Sequence, residues 1–180
     1  MTDLSIIRKR SKKNEAENWE FRSFLKESPI PEEKIDSLVH KLYLRVSSKI
    51  DCRSCANCCR ELQPHLNRKD VGKLSKAFNL SVAQFQEDYL VKGKEPERFV
   101  FSRRPCPLLK ENLCLYYAYR PEGCVSYPHL GKKEFTSRLI NAVENYSVCP
   151  IVFNVYESLK NEIWPRRQSR RSRHIDRIGR

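Results

Sequence analysis

The chain has 180 residues, 35 Lys and Arg against 22 Asp and Glu, and a formal net charge of +13. That length suits one domain with tails, and a mean hydropathy of −0.67 without a run of roughly 20 apolar residues excludes a membrane-spanning helix. Five glycines and no Gly-rich loop exclude nucleotide folds of the Rossmann or P-loop type. The opening MTDLSIIRKR puts its short apolar stretch ahead of its basic residues, the reverse of a secretory leader. A cytoplasmic setting with reduced thiols and no membrane contact is therefore expected.

Residues 1–30 read as an N-terminal extension, partly helical. The segment through Asn18 is polar and mixed in charge, and Trp19, Phe21, Phe24 and Leu25 then recur at loosely helical spacing before Pro29 and Pro31. Pro31 followed by Glu32 and Glu33 is a helix start, with φ preset and acidic groups near the positive end of the dipole. Ile35, Leu38, Val39, Leu42 and Val46 then line one face of about four helical turns. His40 lies at the polar side of that helix and reads as a surface residue. Asn67 with Asp70, and Ser81 with Gln84, are capping-box signatures. They open two short helices with Val71, Leu74, Ala77 and Phe78, then Val82, Phe85, Tyr89 and Leu90, as apolar faces, joined tightly at Asn79-Leu80. Arg98 to Arg103 reads as a short strand, and a hairpin is expected within 105–128, one strand at Cys114 to Tyr117. Phe135 to Tyr146 reads as helical. Pro150 starts a last helix with Ile151, Val152, Val155, Tyr156, Leu159 and Ile163 on one side, and Pro165 ends it. The expected fold class is mainly α with short irregular β, a small single metal-stabilised cysteine-cluster domain over 31–164.

Residues 165–180, PRRQSRRSRHIDRIGR, hold seven Arg and one Asp, so they carry 7 − 1 = +6 of the +13. Two isoleucines are too few for a core, and the segment is expected to be a disordered basic tail. Arg clusters neutralise phosphates, so nucleic acid is a candidate partner for this tail, with the metal sites as scaffold. Without aromatic residues inside it, the tail offers no base-stacking platform.

Eight cysteines in a reducing compartment call for metal. Cys52, Cys55, Cys58 and Cys59 follow C-x2-C-x2-C-C, and two intervening residues let a loop bring both sulfurs of a pair onto one cation. Adjacent Cys58 and Cys59 do not point the same way in an extended backbone, which leaves a second centre open. Cys106, Cys114, Cys124 and Cys149 complete the set. Cys106 and Cys149 precede proline, as the last ligand of iron–sulfur ferredoxin runs does. Cys149 is placed at or next to the N-terminus of the last helix, where the dipole favours a thiolate. Buried free thiols account for single cysteines, not for this spacing. Disulfides need an oxidising compartment, and a Cys52-x2-Cys55 dithiol alone leaves six cysteines unexplained. Eight thiolates make two four-sulfur sites, and both tetrahedral zinc and a cubane iron–sulfur cluster want four sulfurs. His65 and His129 lie near cysteines but are not needed as ligands. Arg120 is the candidate to offset thiolate charge and donate to sulfur, with Tyr127 beside it in the same loop.

These residues resemble the YkgJ-type cysteine-cluster family. The resemblance rests on Cys52 to Cys59, Asp70-Val71 with Leu74, Leu80-Ser81 with Phe85 and Tyr89-Leu90, and Cys106-Pro107 with Leu109. It continues through Cys114, Arg120-Pro121 with Cys124, Tyr127-Pro128, and Cys149-Pro150, covering about residues 50–155. It implies a zinc- or iron-chelating domain. The expected function is metal binding through the cysteine cluster, with electron transfer or a maturation role involving a protein partner. The alternative is a nucleic-acid-binding module with structural zinc. No Ser-His-Asp set or paired carboxylate site marks a catalytic centre, and the question of enzymatic activity stays open.

Overall fold

A computed structural model describes residues 1–93 and 97–165. Its contacts group into two compact units. Among the described residues, one is built from 1–50 together with 128–165, and the other from Asp51–Tyr127. The expectation of a mainly α fold with short β pieces is met by ten helices, two 3-10 turns and two two-stranded antiparallel sheets among the described residues.

The first unit is helical. It contains α1 (Leu4–Lys13), α2 (Glu15–Glu27), α3 (Glu32–Ser47), α9 (Leu139–Asn145), preceded by a 3-10 turn at Phe135–Arg138, and α10 (Pro150–Ile163). Pro31 serves as N-cap of α3, with Glu32 and Glu33 in its first turn, as the fixed φ and the dipole demand. Its Ile35, Val39 and Leu42 are buried, and α3 packs along α10. The Asp36 carboxylate accepts the Glu134 and Phe135 N–H groups at 2.7 and 2.9 Å, so α3 also caps the 3-10 turn that leads into α9. The apolar side of α10 is completed by Phe21 of α2, which meets Tyr156 edge-on at 5.2 Å. Lys160 of α10 is fully buried among these rings. Its ammonium donates to Glu157 Oε1 at 2.9 Å, to Glu17 Oε1 at 3.2 Å and to Asn18 Oδ1. Three protons thus meet three acceptors, which makes a buried cation tolerable.

Two features of this unit depart from the sequence reading. Residues 4–13, read only as polar and mixed in charge, form α1, whose N-cap Asp3 accepts the Ser5 and Ile6 N–H groups. The 135–146 stretch is a 3-10 turn followed by a seven-residue helix and not one continuous helix. The Arg-rich segment 165–180 lies outside the described residues apart from Pro165.

The second unit carries α4 (Cys52–Cys55), α5 (Asn57–Glu61), α6 (Arg68–Ala77), α7 (Val82–Tyr89) and α8 (Glu122–Ser126). Strands β1 (Leu90–Lys92) and β2 (Phe99–Phe101) pair antiparallel, as do β3 (Leu109–Lys110) and β4 (Leu113–Cys114). Both predicted capping boxes are present, at Asn67 and Ser81. α6 ends in a Schellman motif. Asn79 takes the left-handed conformation at φ 55°, Leu80 N–H bonds to Ser75 O at 2.9 Å and Asn79 N–H to Lys76 O at 3.1 Å. Asparagine tolerates that conformation better than a branched residue. The core is Leu66, Val71, Leu74, Phe85, Leu90, Phe101 and Leu108, and Cys106, Cys114 and Tyr116 pack against it. Phe78 stacks on Tyr116 with ring centroids 4.2 Å apart, worth about 0.5–1.5 kcal/mol beyond area burial. That contact fixes the strand end two residues past Cys114 to the helix pair.

Candidate metal centre

Seven of the eight cysteines belong to the second unit, and Cys149 to the first. All eight are free thiols.

The C-x2-C-x2-C-C run folds as two short helices. Asp51 caps α4 by accepting the Arg53 N–H at 2.9 Å. Ala56 then takes a left-handed conformation, φ 46° and ψ 15°, that ends α4 and begins α5. Cys52 and Cys55 therefore lie three residues apart on one turn, on neighbouring positions of one face. Cys58 and Cys59 sit in a helical turn, not in the extended backbone considered from the sequence. There the Cys58 thiol hydrogen-bonds the Cys59 sulfur.

Backbone and arginine bonds hold the other cysteines to this run. The Cys106 N–H donates to Cys59 O at 2.8 Å, directly after a cis Arg104–Pro105 peptide. Leu109 N–H returns to Cys106 O at 3.0 Å, and the β3–β4 pairing sets Cys114 opposite Leu109. Arg60 spans the gap. Its guanidinium donates to Cys55 O and to Glu111 O, both at 3.1 Å, and to the Asn112 side-chain oxygen. Cys124 rides on α8. The first N–H of that helix, from Glu122, donates to Asp70 Oδ1 at 3.0 Å, while Asp70 Oδ2 accepts the Asn67 N–H at 3.2 Å. One carboxylate, itself 7% exposed, thus caps both α6 and α8.

The thiols feel one another. Burial pushes Cys124 up to about 12, and Cys106, Cys59 and Cys114 add to the rise. Burial likewise pushes Cys106 up to about 11, with Cys59 and Cys114 adding to it. Cys114 is raised by burial and by Cys59. Cys52 is raised by burial, then by Cys55 and Asp51. Cys59 runs the other way, down to about 7, chiefly through the hydrogen bond from Cys58, helped by Arg60 and Arg120. Cys59, Cys106, Cys114 and Cys124 therefore interact with one another as a quartet, with Cys52 and Cys58 joined to it through Cys59 and Cys55 through Cys52.

Arg120 acts on the thiols through its charge. Its charge lowers the thiols of Cys52, Cys59, Cys114 and Cys124. Its guanidinium sits 3.6 Å from the Tyr117 ring centroid, and its Nε donates to Tyr117 O at 3.0 Å. Arg53 reaches the same ring at 5.6 Å. Tyr127 is half-buried at the end of this unit, His65 is exposed, and His129 belongs to the first unit. Asp70 and Arg60 were missed as site residues. The capping box marked Asp70 as a helix start, but nothing local shows that its second oxygen serves Cys124.

The donor set suits zinc or an iron–sulfur centre: soft thiolates in excess of four, flanked by guanidinium groups that offset their charge. Among the described residues, no three His, Cys, Asp or Glu side chains are already closed into ligand geometry. Binding a metal at thiols is coupled to their deprotonation and to the folding of the site.

No helix among the described residues is long and apolar enough to cross a membrane. Neither a curated protein nor a solved structure matches the chain. A family's sequence model does match, over residues 51–143, which takes in the whole second unit and stops short of Cys149. The chain belongs to the CxxCxxCC family, whose description is a putative zinc- or iron-chelating domain.

Proposed function

We propose that the chain binds zinc or an iron–sulfur cluster through a four-sulfur site made of Cys59, Cys106, Cys114 and Cys124. The observation that supports this most is the mutual interaction of those four thiols within one unit, with Cys106 N–H bonded to Cys59 O. Cys52, Cys55 and Cys58 supply further sulfurs for an adjoining centre, while Cys149 belongs to the other unit. When bound, zinc held by four thiolates gives structure alone, and an iron–sulfur cluster adds one-electron transfer.

The chain's own residues do the rest. Arg120 and Arg60 lower the cost of gathering thiolates. Asp70 holds the α8 N-terminus, and so Cys124, against α6. The packing of Cys106 and Cys114 on the apolar core keeps water from one side of the sulfurs.

Anaerobic purification followed by metal and sulfide analysis tests the reading. At least one tightly held metal centre per chain is expected. It should be lost in C59S/C106S/C114S/C124S and kept in C149S. Iron with labile sulfide identifies the redox form, and zinc alone the structural one. Fresh reduced protein that holds neither metal overturns the reading, as does a C149S chain that loses as much metal as the quartet variant.

A further inference from the structure

Helix α1 carries a dense charge pattern of a single sign on its exposed side. Its sequence LSIIRKRSKK contains five cations in the six positions 8–13 and no acid. All five, Arg8, Lys9, Arg10, Lys12 and Lys13, are exposed, while Ile7 is fully buried. At 100° per residue the five cations sweep about 200° of the helix circumference. Leu4, Ile7 and Ser11 occupy the remaining arc, which faces α2 and α10. The helix dipole accounts for the cations in the last turn, Arg10, Lys12 and Lys13. It does not account for a further Arg8 and Lys9. Arg8 with Lys12 and Lys9 with Lys13 are like-charge pairs at i, i+4. Lys9 with Lys12 and Arg10 with Lys13 are like-charge pairs at i, i+3, and all four work against the helix. A polyanion laid along this face would relieve that repulsion.

We propose that α1 is a docking surface for the phosphate backbone of nucleic acid, separate from the cysteine site and independent of what metal that site holds. An anionic membrane is the competing polyanion. A helix that binds at a lipid interface lays its apolar face among the headgroups, and the apolar face of α1 is already spent inside the helical unit, with Ile7 0% exposed. What remains outside is charge with one exposed apolar residue, Ile6 at 43%, too little apolar surface to seat a helix among headgroups, and this suits phosphates spaced along a strand. No aromatic residue lies on α1 to stack on bases, so binding is by phosphate contact and indifferent to sequence. The surface lies outside the residues matched by the family, which begin at 51.

Counterion release gives the test a number, because each neutralised phosphate steepens the dependence of log affinity on log salt by about 0.9 on duplex DNA. The probe is a fluorescein-labelled mixed-sequence duplex DNA, titrated with the full chain by anisotropy at several salt concentrations. In K9Q/R10Q/K12Q/K13Q, with Arg8 unchanged, four contacts go and the slope becomes shallower by about 3.6. The affinity lost between about 50 and 200 mM salt then shrinks by about 150-fold, whatever the Arg-rich C-terminal segment contributes. The single variants K9Q and K13Q, at exposed positions that fold normally, should each lower the slope by about 0.9. K9R/K12R/K13R keeps the charge and should keep the slope. The proposal is overturned if the glutamine substitutions leave the slope unchanged, or if the arginine variant loses binding as the glutamine variant does. It is also overturned if deleting 166–180 abolishes all binding while α1 substitutions are silent. Binding to vesicles containing phosphatidylserine without binding to the duplex overturns it in favour of the membrane.

Discussion

Replacing Asp70 by alanine tests the geometry of the cysteine unit most directly. The Asp70 carboxylate accepts from Asn67 N–H at 3.2 Å and from Glu122 N–H at 3.0 Å, at a position only 7% exposed. Losing half of the α6 capping box costs about 1 kcal/mol. Leaving the Glu122 N–H without its acceptor in half-buried surroundings costs about 1–3 kcal/mol more. The sum is about 2–4 kcal/mol, and urea unfolding followed by circular dichroism should show a midpoint lower by about 1–2 M at a typical slope of about 2 kcal/mol per molar. Asp70→Asn keeps one acceptor oxygen but turns an amide NH2 toward the other donor, so it should recover little of the loss. Because Glu122 opens the helix that carries Cys124, the alanine variant should also expose that thiol to alkylation. A midpoint shift equivalent to less than about 0.5 kcal/mol, the range of an ordinary surface change, would show that Asp70 does not hold α8.

Three more outcomes follow from other features. Lys160→Met removes a fully buried cation from Glu17, Asn18 and Glu157 and should destabilise the helical unit by about 3 kcal/mol. A thermal midpoint equal to that of the unsubstituted chain would contradict the buried network. In metal-free reduced protein near pH 8, Cys59, held down to about 7, is mostly thiolate. Cys106 and Cys124, raised to about 11 and 12, stay protonated. A lower folded value means more thiolate at a given pH, so iodoacetamide mapped by mass spectrometry should label Cys59 well before Cys124, and equal labelling would refute the assignment. Asn79→Gly should leave stability unchanged or slightly higher, whereas Asn79→Val, with a branched side chain at φ 55°, should cost about 1–2 kcal/mol. Equal stability of the two variants would contradict the Schellman end of α6.

What the sequence made legible was local. Apolar residues at helical spacing announce α3 and α10. Asn67 with Asp70 and Ser81 with Gln84, each pair three residues apart, announce the starts of α6 and α7, and the Cys-Pro step places Cys149 at the head of α10, where it is the N-cap. These signals work because the interacting groups are within one or two turns. What stayed hidden depends on residues far apart in the chain. Asp70 meets Glu122 across 52 positions, Arg60 meets Asn112 across 52, and Lys160 meets Asn18 across 142. α1 was hidden for a different reason. Only Leu4, Ile6 and Ile7 are apolar in it, too few to show a period, and its helicity rests on the Asp3 cap and on packing against α2 and α10. Cysteine spacing predicted a ligand set but not its division. Eight thiols read along the chain look equivalent, whereas the fold gives seven to one unit and one to the other.

The arrangement of the two units in the chain sets an order of events during synthesis. The cysteine unit is one uninterrupted stretch, Asp51–Tyr127, and every contact of its core is available once that stretch has emerged. The helical unit is in the opposite position. α1, α2 and α3 are made first, but their partners α9 and α10 lie beyond 77 intervening residues, 127 − 51 + 1. At about 5–20 residues per second, the faces of Phe21, Ile35, Val39 and Leu42 wait at least about 5–20 s for Tyr146, 104 positions after Leu42, and longer for Tyr156 and Leu159. Throughout that interval the cysteine segment is free to fold around its own core, so the unit written second in the chain is the first to be finished.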